Sequence, residues 1–163
     1  MGPVLAFWAV ALLVAVLALP VAFALLRRLP DSGAGMSFAL GLVLLGWGYF
    51  ILRTASVLPP GRGGYIVALA CLALVGAAVA GRDRRFWSTL QRSWPSLMAM
   101  GGLFTLFFFG YVAFRSYVPE IEGTEQPMDF LYLNATIASE DYPPRDPWLA
   151  GEPASYYYFG YLQ

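Results

Sequence analysis

Residues 3–26, PVLAFWAVALLVAVLALPVAFALL, run for 24 residues without one charged side chain. Coiled as a helix at 1.5 Å per residue, such a run covers about 36 Å, more than the ~30 Å hydrocarbon core of a bilayer. In lipid the backbone must satisfy its own hydrogen bonds, so the run reads as a transmembrane helix. Nothing basic precedes it, and Arg27 and Arg28 follow it. A secretory signal has the reverse polarity, so the helix is expected to be retained. Pro20, near one end, is a kink that a membrane span tolerates.

Three more apolar runs follow, at 36–52, at 65–80 (the shortest) and at 95–114, the last dense in Phe. The turns LPDSGAG (29–35) and VLPPGRGG (57–64) separate the first three. A basic and aromatic connector, GRDRRFWSTLQRSW (81–94), leads into the fourth, which is expected to start at Pro95. Gly41, Gly46 and Gly48, with Gly101, Gly102 and Gly110, read as packing positions between helices. The expected fold is an all-α, polytopic integral membrane protein with a bundle over 1–114. Composition agrees: 59% hydrophobic and 12% charged residues depart from the roughly half and quarter of soluble domains.

The zero net charge hides a division. Through Arg115 the chain has nine Arg against Asp31 and Asp83; beyond it, Arg145 alone stands against eight carboxylates. The turns after the first and third spans hold Arg27, Arg28, Arg82, Arg84, Arg85 and Arg92, and the opposite side holds Arg53, Arg62, Arg115 and Arg145. The positive-inside rule puts the first set in the cytoplasm, with the N-terminus and the acidic loop 115–155 on the extracytoplasmic face of a plasma membrane. The lipid bilayer is the expected partner, and nucleic acid is not, since it calls for a basic surface. With no His or Lys and a single Cys71, these residues cannot supply a His-activated nucleophile, a Schiff-base lysine or a thiolate metal site.

Chemistry, if present, belongs to the acidic loop. Pro127 suits the first turn of a helix over about 127–139, in which Asp129, Tyr132, Thr136 and Glu140 share one stripe. Apolar elsewhere, that helix is expected to lie in the membrane interface. Residues 156–163 begin another apolar run, the start of a fifth span, so the sequence reads as the front piece of a longer chain.

The runs PEIEGTEQPMDFLYLNA and YPPRDPWLAGEPASYYYFGY resemble an uncharacterised family of large bacterial and archaeal membrane proteins, named "YYY" for the tyrosine triplet. The resemblance covers about 115–163. More loosely, the loop is similar to the first external loop of GT-C glycosyltransferases, which use polyprenyl-phosphate sugars. Those carry an acidic residue outside a span, an interfacial helix, a turn like Gly151-Glu152-Pro153 and an aromatic run into the next span. The paired Asp-Glu of that loop is absent; Glu125, Gln126 and Asp129 stand in its place.

That resemblance implies an inverting sugar transfer with Asp129 or Glu125 as base. Glu120 and Glu122 become acceptor contacts or ligands for a divalent cation, Mg2+ or Mn2+, since alternate positions of an extended strand share a side. Arg145 can meet a phosphate or pair with Asp146. Trp148 can stack on a sugar or anchor the loop among headgroups. Tyr156, Tyr157 and Tyr158 can point hydroxyls at substrate or form an aromatic belt. The alternative is a non-catalytic membrane protein whose loop binds a partner, lipid or polymer. A transporter fits less well, because no charge lies deep in any span.

Overall fold

The computed structural model describes residues 1–59, 61–123, 125–139, 143–149, 151–155 and 160–161. Its helices are α1 (Gly2–Leu25), α2 (Ser37–Thr54), α3 (Arg62–Arg82), α4 (Phe86–Tyr117) and α5 (Gln126–Ala138). A 3-10 turn at Ala34–Met36 leads into α2. Among the described residues the only extended pairing is an isolated bridge between Arg145 and Pro153. The first four helices are each long and apolar enough to cross a bilayer. The chain is therefore an all-α, multi-pass membrane protein embedded in lipid.

Two helices differ in extent from the sequence reading. The third is 21 residues long rather than 16, because it begins before the apolar run. Tyr65, in its first turn, stacks on Tyr49 with ring centroids 4.0 Å apart. The fourth starts at Phe86, ahead of the apolar run, and carries Pro95 inside it. Phe86, Leu90, Ser93 and Leu97 recur at helical spacing. The three apolar members pack on Leu19, Phe23 and Ala34, while Ser93 Oγ donates to the Asp31 carbonyl at 3.1 Å. This tertiary contact outweighs the hydrogen bond that a proline removes from a helix interior.

The chain divides into two compact units. The first comprises Met1–Leu44 and Ala70–Pro119. Here α1 is the common partner. A Cβ on Gly41 of α2 would lie 2.8 Å from Val14 Cγ1, and one on Gly76 of α3 would lie 2.5 Å from the Leu17 carbonyl oxygen. Only glycine permits those approaches, as small residues generally do between membrane helices. By contrast Gly48, Gly101, Gly102 and Gly110 face open space, while Gly46 is buried. Against α4, Trp8 Nε1 donates to Thr105 Oγ1 at 3.1 Å, and that hydroxyl donates to the Gly101 carbonyl at 2.7 Å. Both polar groups are thus satisfied inside apolar surroundings. Phe7 stacks on Phe108 beside them.

The second unit comprises Leu45–Leu69 and Glu120–Gln163. One cluster within it gathers Tyr49, Leu58 and Ala68. The other is built on α5.

Candidate functional site

The helix α5 forms because Pro127 occupies its first turn and Asp129 lies where the helix dipole favours a carboxylate. Two members of its polar stripe, Tyr132 and Thr136, face inward. Tyr132 is 2% exposed and Thr136 1%, whereas Phe130, Leu133 and Ile137 are exposed. An apolar outer surface on a helix this short is suited to headgroups and acyl chains.

The buried stripe is covered by the loop 144–154, which closes on itself. The Ala154 amide donates to the Pro144 carbonyl at 2.8 Å, and the Asp146 amide to the Glu152 carbonyl at 2.9 Å. Asp146 organises the turn between them: its Oδ1 accepts from the Trp148 and Leu149 amides at 2.8 and 3.0 Å. Its Oδ2 accepts from the Tyr132 hydroxyl at 3.3 Å. Gly151 supplies the positive φ, 100°, that the return path requires. Trp148 lies perpendicular to Tyr132, centroids 5.4 Å apart, yet keeps 62% of its surface exposed.

Tyr161 completes the cluster. Its ring stacks on Tyr132 with centroids 6.0 Å apart, and its hydroxyl donates to Asp129 Oδ1 at 2.6 Å. Carboxylate, phenol and indole are thus joined in one sequence of contacts, Asp129–Tyr161–Tyr132–Trp148. Sequence reasoning passed over Tyr161, which sits three residues beyond the conspicuous triplet. Thr136 Oγ1, on the same face of α5, is buried with no hydrogen-bond partner among the described residues.

Electrostatics follow from these contacts. The Trp148 and Leu149 amides, with a smaller share from the Tyr132 hydroxyl, hold the Asp146 carboxyl below its ordinary value against a partial desolvation. Burial, and then the Asp146 charge and hydrogen bond, push the Tyr132 hydroxyl up. A carboxyl depressed in the folded state contributes stability that is complete above its unfolded pKa and lost as pH falls through the folded one. The loop is therefore expected to loosen as pH drops below about 4. Hydrogen exchange at the Trp148 and Leu149 amides measures it, and Asp146→Asn should show fast exchange at neutral pH with no further acid step.

The candidate residues fare differently. Asp129 is exposed and oriented by Tyr161. Glu125 is the residue before α5 and makes no side-chain cap. The expected Arg145–Asp146 ion pair does not form, because the carboxylate is engaged by amides and Tyr132; Arg145 is exposed. Glu120 and Glu122 lie exposed in the irregular segment before α5. No three acidic or cysteine side chains among the described residues come together to hold a metal. Tyr156, Tyr157 and Tyr158, and Glu140 at the end of the predicted stripe, lie outside the described residues.

Comparison with known families bears on the region that carries this cluster. The family described as "Uncharacterized membrane protein (DUF2298)" matches residues 44–163. The chain belongs to it. The DUF2298 match starts within α2 and takes in α3, α4, α5 and the loop, so every residue of the cluster lies inside it. No curated protein and no solved structure matches the chain.

Proposed function

We propose that this DUF2298 protein is a membrane glycosyltransferase of the GT-C type, transferring a sugar from a polyprenyl-phosphate donor on the extracytoplasmic face of the plasma membrane. The observation that carries this reading is Asp129, an exposed carboxylate with one oxygen fixed by Tyr161 and the other left to accept a proton. A glycosyl acceptor needs such a base as its hydroxyl oxygen attacks. The acceptor proton goes to Asp129 and the oxygen bonds to the anomeric carbon. The bond from that carbon to the donor phosphate breaks, its electron pair leaving with the polyprenyl phosphate. The exposed ring of Trp148 offers a sugar an apolar face, and the Arg145 guanidinium is available to phosphate. Glu120 and Glu122 then serve as acceptor contacts. The placement outside the cell rests on the arginine distribution.

A second reading is favoured by one specific observation. Glu120, Glu122 and Glu125 are all exposed and do not converge with Asp129 into a carboxylate group, as a surface that binds a partner, lipid or polymer would have them. The two readings part in one assay. The full chain, reconstituted in liposomes, is given polyprenyl-phosphate mannose, glucose and galactose in turn, each radiolabelled. Release of polyprenyl phosphate with transfer of label is the expected result. Saturable binding of donor without release would leave only the binding protein.

A further inference from the structure

A cluster of arginines lies in the first unit, away from the α5 cluster in sequence and independent of sugar transfer. The turn after α1 carries Arg27 and Arg28; the end of α3 and the turn into α4 carry Arg82, Arg84 and Arg85; α4 itself carries Arg92. Two bonds tie these turns together. Arg27 pairs with Asp83 at 3.0 Å, and Ser93 Oγ donates to the Asp31 carbonyl. Phe23 of α1 and Phe86 of α4 meet beneath them, centroids 6.0 Å apart.

The two local carboxylates are spent on the fold itself. Asp83 Oδ2 takes Arg27, and its Oδ1 accepts from the Arg85 amide at 3.0 Å. Asp31 accepts from the Gly33 and Gly35 amides at 3.0 and 2.7 Å. That leaves Arg28, Arg82, Arg84, Arg85 and Arg92 exposed, with no carboxylate partner among the described residues. Five guanidiniums on a pinned pair of turns make a positive field that requires anions.

The anion's source is indicated by the helix beside it. At 32 residues α4 is about 48 Å long, well over the ~30 Å hydrocarbon core. Its charge-free stretch is 95–114, so the polar residues before Pro95 are the ones to stand at headgroup depth. Trp87 and Trp94, seven residues apart and so on one face, are 71% and 54% exposed there. Exposed indoles at span ends belong among headgroups, and Arg84, Arg85 and Arg92 neighbour them in the sequence.

We propose that the α1–α2 turn, the α3–α4 turn and the first turns of α4 form a binding surface for anionic phospholipid headgroups, with Arg28, Arg82, Arg84, Arg85 and Arg92 meeting phosphates and Trp87 and Trp94 seated between acyl chains and water. Arginine is suited to this because its planar fork binds phosphate oxygens in pairs.

The test uses the full chain in detergent, titrated with dioleoylphosphatidylglycerol or dioleoylphosphatidylcholine, with bound lipid counted by native mass spectrometry. The phosphatidylglycerol is expected to bind more tightly, by on the order of tenfold or more, and to weaken as salt rises. Substituting Arg84→Gln, Arg85→Gln and Arg92→Gln together should remove most of that preference. The matching Arg→Lys triple, which retains the charge, should keep it, and so should Arg62→Gln at the start of α3. Equal affinity for the two lipids, or an unchanged preference in the Gln triple, overturns the proposal. Displacement of the lipid by millimolar inorganic phosphate would also overturn it, in favour of a site for a free anion.

Discussion

Asn at position 129 is expected to lower sugar transfer by roughly a hundred- to ten-thousandfold, the range over which a positioned general base contributes. The substitution isolates basicity. Asparagine has the same shape, and its side-chain oxygen can still accept the Tyr161 hydroxyl that now reaches Asp129 Oδ1 at 2.6 Å. What disappears is the capacity to take a proton. If Asp129 works only by holding Tyr161, the variant should transfer sugar at nearly the native rate. Tyr161→Phe is the complementary change: the base remains but loses its fixed orientation, and a fall of about tenfold is expected. Glu125→Gln should leave the rate unchanged, since Glu125 is exposed and its side chain caps nothing. The measurement is initial rate of polyprenyl phosphate release from the reconstituted chain. A Glu125→Gln defect larger than that of Asp129→Asn would move the base to the residue before the helix.

The membrane class was legible from residues 3–26 alone, because lipid accepts few structures and a charge-free run of that length names one of them. Less legible was anything decided by contacts between distant residues. Pro95 marks a helix boundary by local rules, yet α4 runs through it because Phe86, Leu90 and Leu97 have Leu19, Phe23 and Ala34 to pack on. Gly76 looks like any glycine of an apolar run until α1 is beside it with the Leu17 carbonyl turned inward. The stripe of Asp129, Tyr132 and Thr136 was correctly spaced, but spacing does not say which face a helix buries. Only the loop 144–154, folded around Asp146, provides polar and aromatic partners that turn Tyr132 inward while Asp129 stays exposed. Asp146 itself read as half of an ion pair because Arg145 is its neighbour. Two backbone amides just downstream compete better for its oxygens, since they are already placed by the turn.

Tyr132→Ala should be the most disruptive single change in the second unit. The ring is buried to 2% exposure and meets both Trp148 and Tyr161, so its removal empties the centre of the α5 cluster. Truncating a buried aromatic costs about 3 kcal/mol or more. The loss should appear locally rather than across the chain, because the first unit has its own contacts along α1 and α4. Amides at Trp148, Leu149 and Ala154, which now bond Asp146 and Pro144, should exchange roughly a hundredfold faster. Those of α1 and α4 should not change. Tyr132→Phe keeps the ring and gives up only the hydroxyl on Asp146 Oδ2, so its exchange rates should stay close to native. The pair of variants separates packing from hydrogen bonding. If Phe were as damaging as Ala, the hydroxyl–carboxylate contact would be what holds the loop; if neither changed the exchange, the loop would be held without α5. The expected order, Ala far worse than Phe, makes Tyr132 the apolar pivot on which Trp148 and Tyr161 are seated. It would also predict that Asp129 loses its partner when the pivot goes, so transfer should fall in the Ala variant although residue 129 is untouched.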